Sequence, residues 1–159
     1  MAYNVIDIID KLNFLKRKVK DIYIDIYSSN PDDYRCKIVC KTLVKHQDKH
    51  INYYNKIKRN LTNKQLDEID FAIYDKISFL IDKYKNSIYL IDEDHKSIKD
   101  ILKLALKYEN ENKGLIIDIQ GRLVKKEKDT KTVTYNVLSE ILKKEQMYIY
   151  DLTKILQDY

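Results

Sequence analysis

Apolar residues recur at alternating steps of three and four along most of the chain, the spacing that places them on one face of a helix. The first such stripe predicts a helix over residues 4–28 and consists of Val5, Ile8, Leu12, Leu15, Val19, Ile22 and Ile26. A second stripe runs from Ile38 or Val39 to Leu61 and predicts a helix that ends near Asn60. Three more stripes follow, so the pattern predicts an all-α protein.

Polar residues between the stripes supply the signals that begin helices. Asn30 followed by Pro31 predicts the start of the second helix, with Asn30 as its N-cap and Pro31 at its first position. Thr62 and Gln65 have the spacing of a capping box, which predicts a third helix over residues 63–90.

The second half of the chain repeats this organisation. Ser97 is the expected N-cap of a fourth helix over about residues 98–123, in which Gly114 and Gly121 are weak points. The charged run at residues 125–131 has no periodicity and predicts a loop or a frayed helix end.

A last stripe, from Val137 to Ile155, predicts a final helix that reaches almost to Tyr159. Long helices joined by short connections pack antiparallel. We therefore expect a single domain over residues 1–159. Its expected architecture is an elongated antiparallel bundle of four main helices, with an additional long helix between the two halves.

The composition agrees with that architecture. The 159 residues include only two Gly and one Pro, whereas β-rich and dinucleotide-binding folds need both at tight turns. The net charge is +5, but the abundance of Lys, Ile, Asn and Tyr indicates an AT-rich genome better than it indicates nucleic-acid binding. No signal peptide and no membrane-spanning stretch is evident, so we expect a cytoplasmic protein that binds neither membranes nor nucleic acid.

The cysteines and two of the histidines are candidate ligands for zinc. Cys36 and Cys40 lie four residues apart on one helical face and are expected to be reduced and buried. His46 and His50 are one turn apart, but Gln47 stands where the Glu of a His-Glu-x-x-His motif would be. This spacing excludes a zinc hydrolase of that type.

Three stripes are interrupted near the middle of their helices by two polar residues at positions i and i+3. These pairs are Gln47 with His50, Glu109 with Asn112, and Glu145 with Tyr148. Both members of a pair project from the same helical face. Because a buried carboxylate without a partner is costly, Glu109 and Glu145 should meet partners, bind a cation or lie nearer the surface.

The sequence Ala-Leu-Lys-Tyr-Glu at residues 105–109, followed by residues 142–152, resembles the second half of a ferritin-like or rubrerythrin-like bundle. In that family one helix gives a Glu and the next gives Glu-x-x-His. The first half repeats the frame 98 residues earlier, with Gln47 in the Glu place and His50 in the His place. The family's remaining Glu, on the first helix, falls in a region that here reads Lys-Arg-Lys-Val-Lys at residues 16–20.

The resemblance implies a four-helix centre whose six carboxylate and imidazole ligands hold two iron or manganese ions. Of these ligands the chain keeps only His50, Glu109 and Glu145, and the Lys, Gln and Tyr at the other places suit a hard divalent cation poorly. We therefore expect a buried polar cluster that holds no stoichiometric iron, manganese or zinc. The cluster is expected to include three further polar residues, Gln47, Asn112 and Tyr148. The alternative is that the spacing is accidental and these residues are partly solvated.

Three functions are compatible with these features. The leading hypothesis is a non-enzymatic helical-bundle protein with a degenerate ferritin-like centre and a binding or assembly role, without catalytic residues or cofactors. The alternative is a diiron- or dimanganese-type oxidoreductase or a metal-storage protein. A second alternative is a viral Bcl-2-like helical modulator, although the chain has no Trp.

Two further features bear on partners and catalysis. The 14 Tyr favour a protein partner or self-association, most simply a twofold dimer, because Tyr is enriched where proteins touch. His95 lies among acidic residues and is expected to be solvated rather than catalytic.

Overall fold

A computed structural model describes residues 2–88 and 97–159, which form five α-helices and one short 3-10 helix. The α-helices are α1 (Val5–Ser29), α2 (Tyr34–Leu61), α3 (Phe71–Ile88), α4 (Ile98–Leu123) and α5 (Val133–Gln157). The 3-10 helix, Glu127–Lys131, precedes α5. The expected all-α class is confirmed. The predicted end of the third helix at residue 90, and His95, lie outside the described residues.

Helices α1 and α2 form an antiparallel pair. The Asn13 side-chain amide donates to Asn55 at 2.9 Å, and the Lys20 ammonium pairs with Asp48 at 2.7 Å, so later positions in α1 meet earlier positions in α2. The buried apolar residues of both helices belong to one core, to which the other α-helices also contribute.

Helices α4 and α5 pair in the same way, and α3 packs against the outside of α1 and α4. The Gln120 side chain of α4 donates to the Ser139 hydroxyl of α5 at 2.8 Å. The Tyr84 hydroxyl of α3 donates to the Tyr108 carbonyl of α4 at 3.0 Å.

None of the helices formed by the described residues combines the length and the apolar character that a membrane-spanning helix needs.

The predicted start of the third helix is wrong. Helix α3 begins at Phe71, and residues 63–70 are not helical. Thr62 therefore caps no new helix. It follows the end of α2, where its hydroxyl donates to the Lys58 carbonyl at 3.0 Å.

The physical reason is that two residues of this segment, Asp67 and Ile69, make polar contacts with distant parts of the chain. The Ile69 amide donates to the Tyr3 carbonyl at 2.8 Å, and the two residues form an isolated antiparallel bridge. The Asp67 carboxylate accepts from the Val133 amide at 2.9 Å and so caps the first turn of α5. These long-range contacts outweigh the local capping signal.

The predicted cap of the second helix is also wrong. Asn30 ends α1, because its side-chain amide donates to the Ile26 carbonyl at 2.9 Å. Pro31 lies in the turn between the helices. Asp33 is the N-cap of α2 and accepts from the Cys36 amide at 3.0 Å. Asp is as good an N-cap as Asn. With Asp33 as the cap, Pro31 and Asp32 lie between the two helices, where the chain reverses direction.

The remaining boundary predictions agree better with the structure. The Ser97 hydroxyl accepts from the Asp100 amide at 3.1 Å, which confirms the N-cap of α4. Helix α4 is continuous through Gly114 and Gly121, and their predicted weakness stays a prediction. The charged run contains the exposed 3-10 helix rather than an irregular loop.

Candidate functional site

Four helices send polar side chains to the middle of the bundle. These residues are Lys16 of α1, Gln47 and His50 of α2, Glu109 of α4 and Glu145 of α5. None of the five is more than 6% exposed. Because each one takes a core-facing position of its helix, the helical period that builds the apolar core also brings these residues together. We call this set of five residues the buried centre.

Lys16 joins the two carboxyl groups of the buried centre. Its ammonium nitrogen lies 2.8 Å from Glu109 Oε2, and 2.9 and 3.0 Å from Glu145 Oε1 and Oε2. These are charge-assisted contacts of the short, strong kind. Removing either kind of partner would leave an uncompensated charge in the core, so the three residues depend on one another.

Neutral donors complete the coordination of both carboxyl groups. The Gln47 side-chain amide donates to Glu109 Oε1 at 2.8 Å, and the Tyr54 hydroxyl donates to Glu145 Oε1 at 2.7 Å. His50 Nδ1 lies 3.4 Å from Glu145 Oε1, a distance for electrostatic contact rather than a short hydrogen bond. Every carboxyl oxygen of the centre therefore has a partner within the protein.

Burial and neighbouring charges separate the ionisation of the two carboxyl groups. Burial, reinforced by the charge of Glu145, raises the pKa of Glu109 above its ordinary value of 4.5 against the opposing effect of Lys16. Burial also acts to raise the pKa of Glu145, but the charge of Lys16 and the contact with His50 prevail and lower it. Burial lowers the pKa of Lys16, and the two carboxylates more than reverse that effect. As the pH falls, Glu109 therefore takes up a proton first and the Lys16–Glu145 ion pair persists.

Asn112 and Tyr148 were expected in the same cluster and occupy its edge. Both are buried. The ring of Tyr148 meets the ring of His50 edge-on, with 4.7 Å between centroids. Within the described part of the chain, neither the Tyr148 hydroxyl nor the Asn112 amide nitrogen has a hydrogen-bond partner. These two residues pack beside the buried centre without donating to its carboxyl groups.

A metal ion does not fit this arrangement as it stands. One ligand atom each from His50, Glu109 and Glu145 can be chosen so that all three lie within 4.8 Å of one another. However, the Lys16 ammonium lies between the two carboxyl groups at ion-pair distance, where a divalent cation would meet strong repulsion. Lys16 already supplies one positive charge to the two carboxyl groups that a metal would bind.

Sequence reasoning located the carboxylates but missed two of their partners. Lys16 lies in the Lys-rich stretch at residues 16–20, four residues after Leu12 and three before Val19, on the core face of α1. Tyr54 lies on the stripe between Val39 and Leu61, and the pattern gives no sign that its hydroxyl reaches a carboxylate 91 residues away. Helical spacing is therefore enough to predict that Lys16 faces the core, but it does not predict that Tyr54 contacts a carboxyl group.

The other candidate ligands lie apart from the buried centre. Cys36 and Cys40 are buried and form no disulfide. Burial, with the neighbouring Cys36, raises the pKa of Cys40 to about 12, so its thiol stays protonated at neutral pH. His46 is half-buried and stacks on Tyr148, with 4.9 Å between ring centroids.

In comparisons with known proteins, the chain matches no protein-family model, no curated protein and no solved structure. The function must therefore be inferred from the buried centre and from the surface of the bundle.

Proposed function

We propose that this chain is a non-enzymatic helical-bundle protein with a binding or assembly role, built around a ferritin-like centre in which a lysine stands in place of the metal. The observation that carries the proposal is the position of the Lys16 ammonium, 2.8 Å from Glu109 and 2.9 Å from Glu145. Lys16 belongs to the stretch in which the resemblance would place the first-helix carboxylate ligand. The substitution turns a potential ligand into the counter-ion.

The chemistry of the buried centre supports a structural role. A catalytic lysine acts as a base or nucleophile when its amine is neutral, but the two carboxylates raise the pKa of Lys16 and keep it protonated. The carboxyl oxygens are occupied by internal donors, and the residues are almost completely removed from solvent. A buried ionic network of this kind fixes which helix faces meet, because a shifted register would leave its charges unpaired.

A binding or assembly role is therefore assigned to the surface. Several large apolar side chains are more than half exposed there. They include Phe71 and Phe79 on α3, and Met147 and Tyr150 on α5. Exposed apolar and aromatic residues of this kind are typical of surfaces that contact other proteins. Self-association through α3 is one form that this role can take, and it stays a prediction.

One observation favours the alternative, an iron- or manganese-type oxidoreductase or a metal-storage protein. The ligand atoms of His50, Glu109 and Glu145 converge to within 4.8 Å, and three ligands suffice for an open metal site. In that alternative the Lys16 side chain has to leave the centre when a metal enters.

Elemental analysis of the purified protein distinguishes the two functions. We expect iron, manganese and zinc well below one ion per chain in the wild type after expression with all three metals supplied. We expect Lys16→Ala to gain affinity for a divalent cation, because it opens space and removes the competing charge beside three ligands. Lys20→Ala is the matched control, because Lys20 pairs with Asp48 away from the centre. One or two ions per wild-type chain, lost in Glu145→Gln, would establish the alternative instead.

A further inference from the structure

A second cluster of charge lies on the surface, in a groove of about 530 Å³ between α2 and α5. Its lining includes Lys49, Lys56 and Arg59 from α2, and Lys144 and Asp151 from α5. We call it the α2–α5 groove. Four cations face one carboxylate there, whereas the chain as a whole has 30 basic and 25 acidic residues. The groove is therefore much more positive than the average surface of this protein.

The cations of the groove differ from the lysines whose ion pairs join α1 and α2. Lys58 of α2 pairs with Asp10 of α1 at 2.7 Å, and Lys20 of α1 pairs with Asp48 of α2 at the same distance. Among residues 2–88 and 97–159, no carboxylate lies within ion-pair distance of the groove-lining lysines and arginine of α2. These three cations are exposed, so a negatively charged ligand can reach them.

The spacing of these cations indicates the shape of that ligand. From Lys49 to Arg59 the helix rises by about 15 Å at 1.5 Å per residue, so the charges form a row and do not converge on one point. A single phosphate or carboxylate group could meet only one end of the row. A short extended or helical peptide with several acidic side chains could meet all of it.

The aromatic rings of the groove argue against a nucleic acid. Stacking of bases needs open ring faces. The ring of Tyr148 is buried and covered by His46 at 4.9 Å, and the Lys144 ammonium lies over the ring of Tyr53, 5.3 Å from its centroid. By contrast, Met147 at the rim is 65% exposed. Its flexible side chain suits contact with an apolar residue of a peptide.

We propose that the α2–α5 groove is the docking site for a short acidic segment of a partner protein, one that also carries an apolar residue to pack on Met147. This inference rests on the proposed binding role and names the chemistry of the partner. The driving force is the attraction between the row of cations and the acidic side chains, and the apolar contact fixes the register of the segment.

The test measures binding of defined probes by fluorescence anisotropy. The main probe is a labelled peptide of about ten residues that alternates Glu with Leu, long enough to span the row of cations. A peptide with Lys in place of each Glu and a single-stranded oligothymidine of similar length are the comparison probes. We expect the acidic peptide to bind, to dissociate at high salt and to bind more tightly than the oligothymidine.

Two charge-matched variants localise the binding. The groove variant combines Lys49→Gln, Lys56→Gln and Arg59→Gln. The control variant combines three exposed lysines that do not line the groove, as Lys41→Gln, Lys45→Gln and Lys103→Gln. We expect the groove variant to bind the acidic peptide about tenfold more weakly or worse, and the control variant to stay within about twofold of the wild type.

Three outcomes would overturn the inference. They are no binding of the acidic peptide, equal weakening in both variants, and tighter binding of the oligothymidine that the groove variant abolishes. The last of these would assign the groove to nucleic acid. None of them bears on the metal content of the wild type, so failure of this inference is distinguishable from failure of the proposed function.

Discussion

The buried centre and the α2–α5 groove hold positive charge in opposite ways. In the centre, Lys16 faces two carboxyl groups at 2.8 to 3.0 Å and is almost inaccessible to solvent. In the groove, four exposed cations face the single carboxylate of Asp151. A charge in the core needs a charged or hydrogen-bonding partner within the protein. A charge on the surface is solvated by water and remains available to bind a ligand. The comparison separates a charge that specifies the structure from charges that remain available for binding.

His50 and Tyr148 lie at the boundary between the two regions. Both line the α2–α5 groove, and His50 also lies 3.4 Å from Glu145 in the buried centre. A ligand in the groove would therefore lie beside His50, one side chain away from Glu145. The two regions differ in charge balance, but His50 and Tyr148 lie next to both.

The largest expected effect comes from removing the central cation. Lys16→Met keeps the length of the side chain but leaves two buried carboxyl groups without a counter-ion, which should lower the free energy of unfolding by about 3–5 kcal/mol. Lys20→Met removes a lysine from the partly exposed pair with Asp48 and should cost less than about 1 kcal/mol. Urea unfolding followed by circular dichroism measures both values. Equal stability of the two variants would remove the distinction between the regions.

The next effect distinguishes the two carboxyl groups within the centre. Glu145 carries the persistent charge and accepts from Lys16 and Tyr54, so Glu145→Gln should cost about 1.5–3 kcal/mol, the magnitude of hydrogen bonds to a charged group. Glu109 has the raised pKa, so Glu109→Gln should cost less than about 1 kcal/mol because the amide replaces a group that is easily neutralised. Urea unfolding at neutral pH gives the order, and the reverse order contradicts this assignment of charge.

The buried centre shows what helical periodicity can and cannot predict. The stripe positions alone place Gln47, His50, Glu109 and Glu145 on core faces, because the 3.6-residue period fixes the direction of a side chain. Which residues meet across helices depends on how the helices stack along their axes. That is why the contact of Tyr54 with Glu145 could not be read from the sequence.

The loops show a different limit. The N-cap of α4 and the core-facing sides of the helices followed local signals, but residues 62–70 did not. There, Ile69 pairs with Tyr3 and Asp67 caps α5 at Val133. Contacts between positions more than 60 residues apart outweigh a local capping box, and a single sequence does not contain a visible signal for them.

A pH series tests the raised pKa of Glu109 against the neutral variant Glu109→Gln. A group with a raised folded pKa contributes stability that is fully present below its unfolded value, here 4.5, and lost as the pH rises through the folded value. The wild type should therefore lose stability relative to Glu109→Gln as the pH rises from about 4 toward neutrality. Unfolding by urea at several pH values measures the difference. A constant difference would show that Glu109 ionises as readily as in the unfolded chain, and a difference of opposite slope would show that it ionises more readily.

The smallest expected effect is on the stability of the groove variant, Lys49→Gln, Lys56→Gln and Arg59→Gln. If these cations have no internal counter-ions, their removal relieves mutual repulsion, and the free energy of unfolding should rise or stay within about 0.5 kcal/mol of the wild type. The gain should be largest at low salt, because salt screens the same repulsion in the wild type.

The control variant, Lys41→Gln, Lys45→Gln and Lys103→Gln, carries the same net charge as the groove variant. It separates the effect of charge in the groove from the effect of net charge. A loss of more than about 1 kcal/mol in the groove variant alone would mean that the groove cations hold the fold together, as Lys16 does. Stability that is unchanged or raised, with binding of the acidic peptide reduced, is the combination expected of a surface whose charge serves a partner.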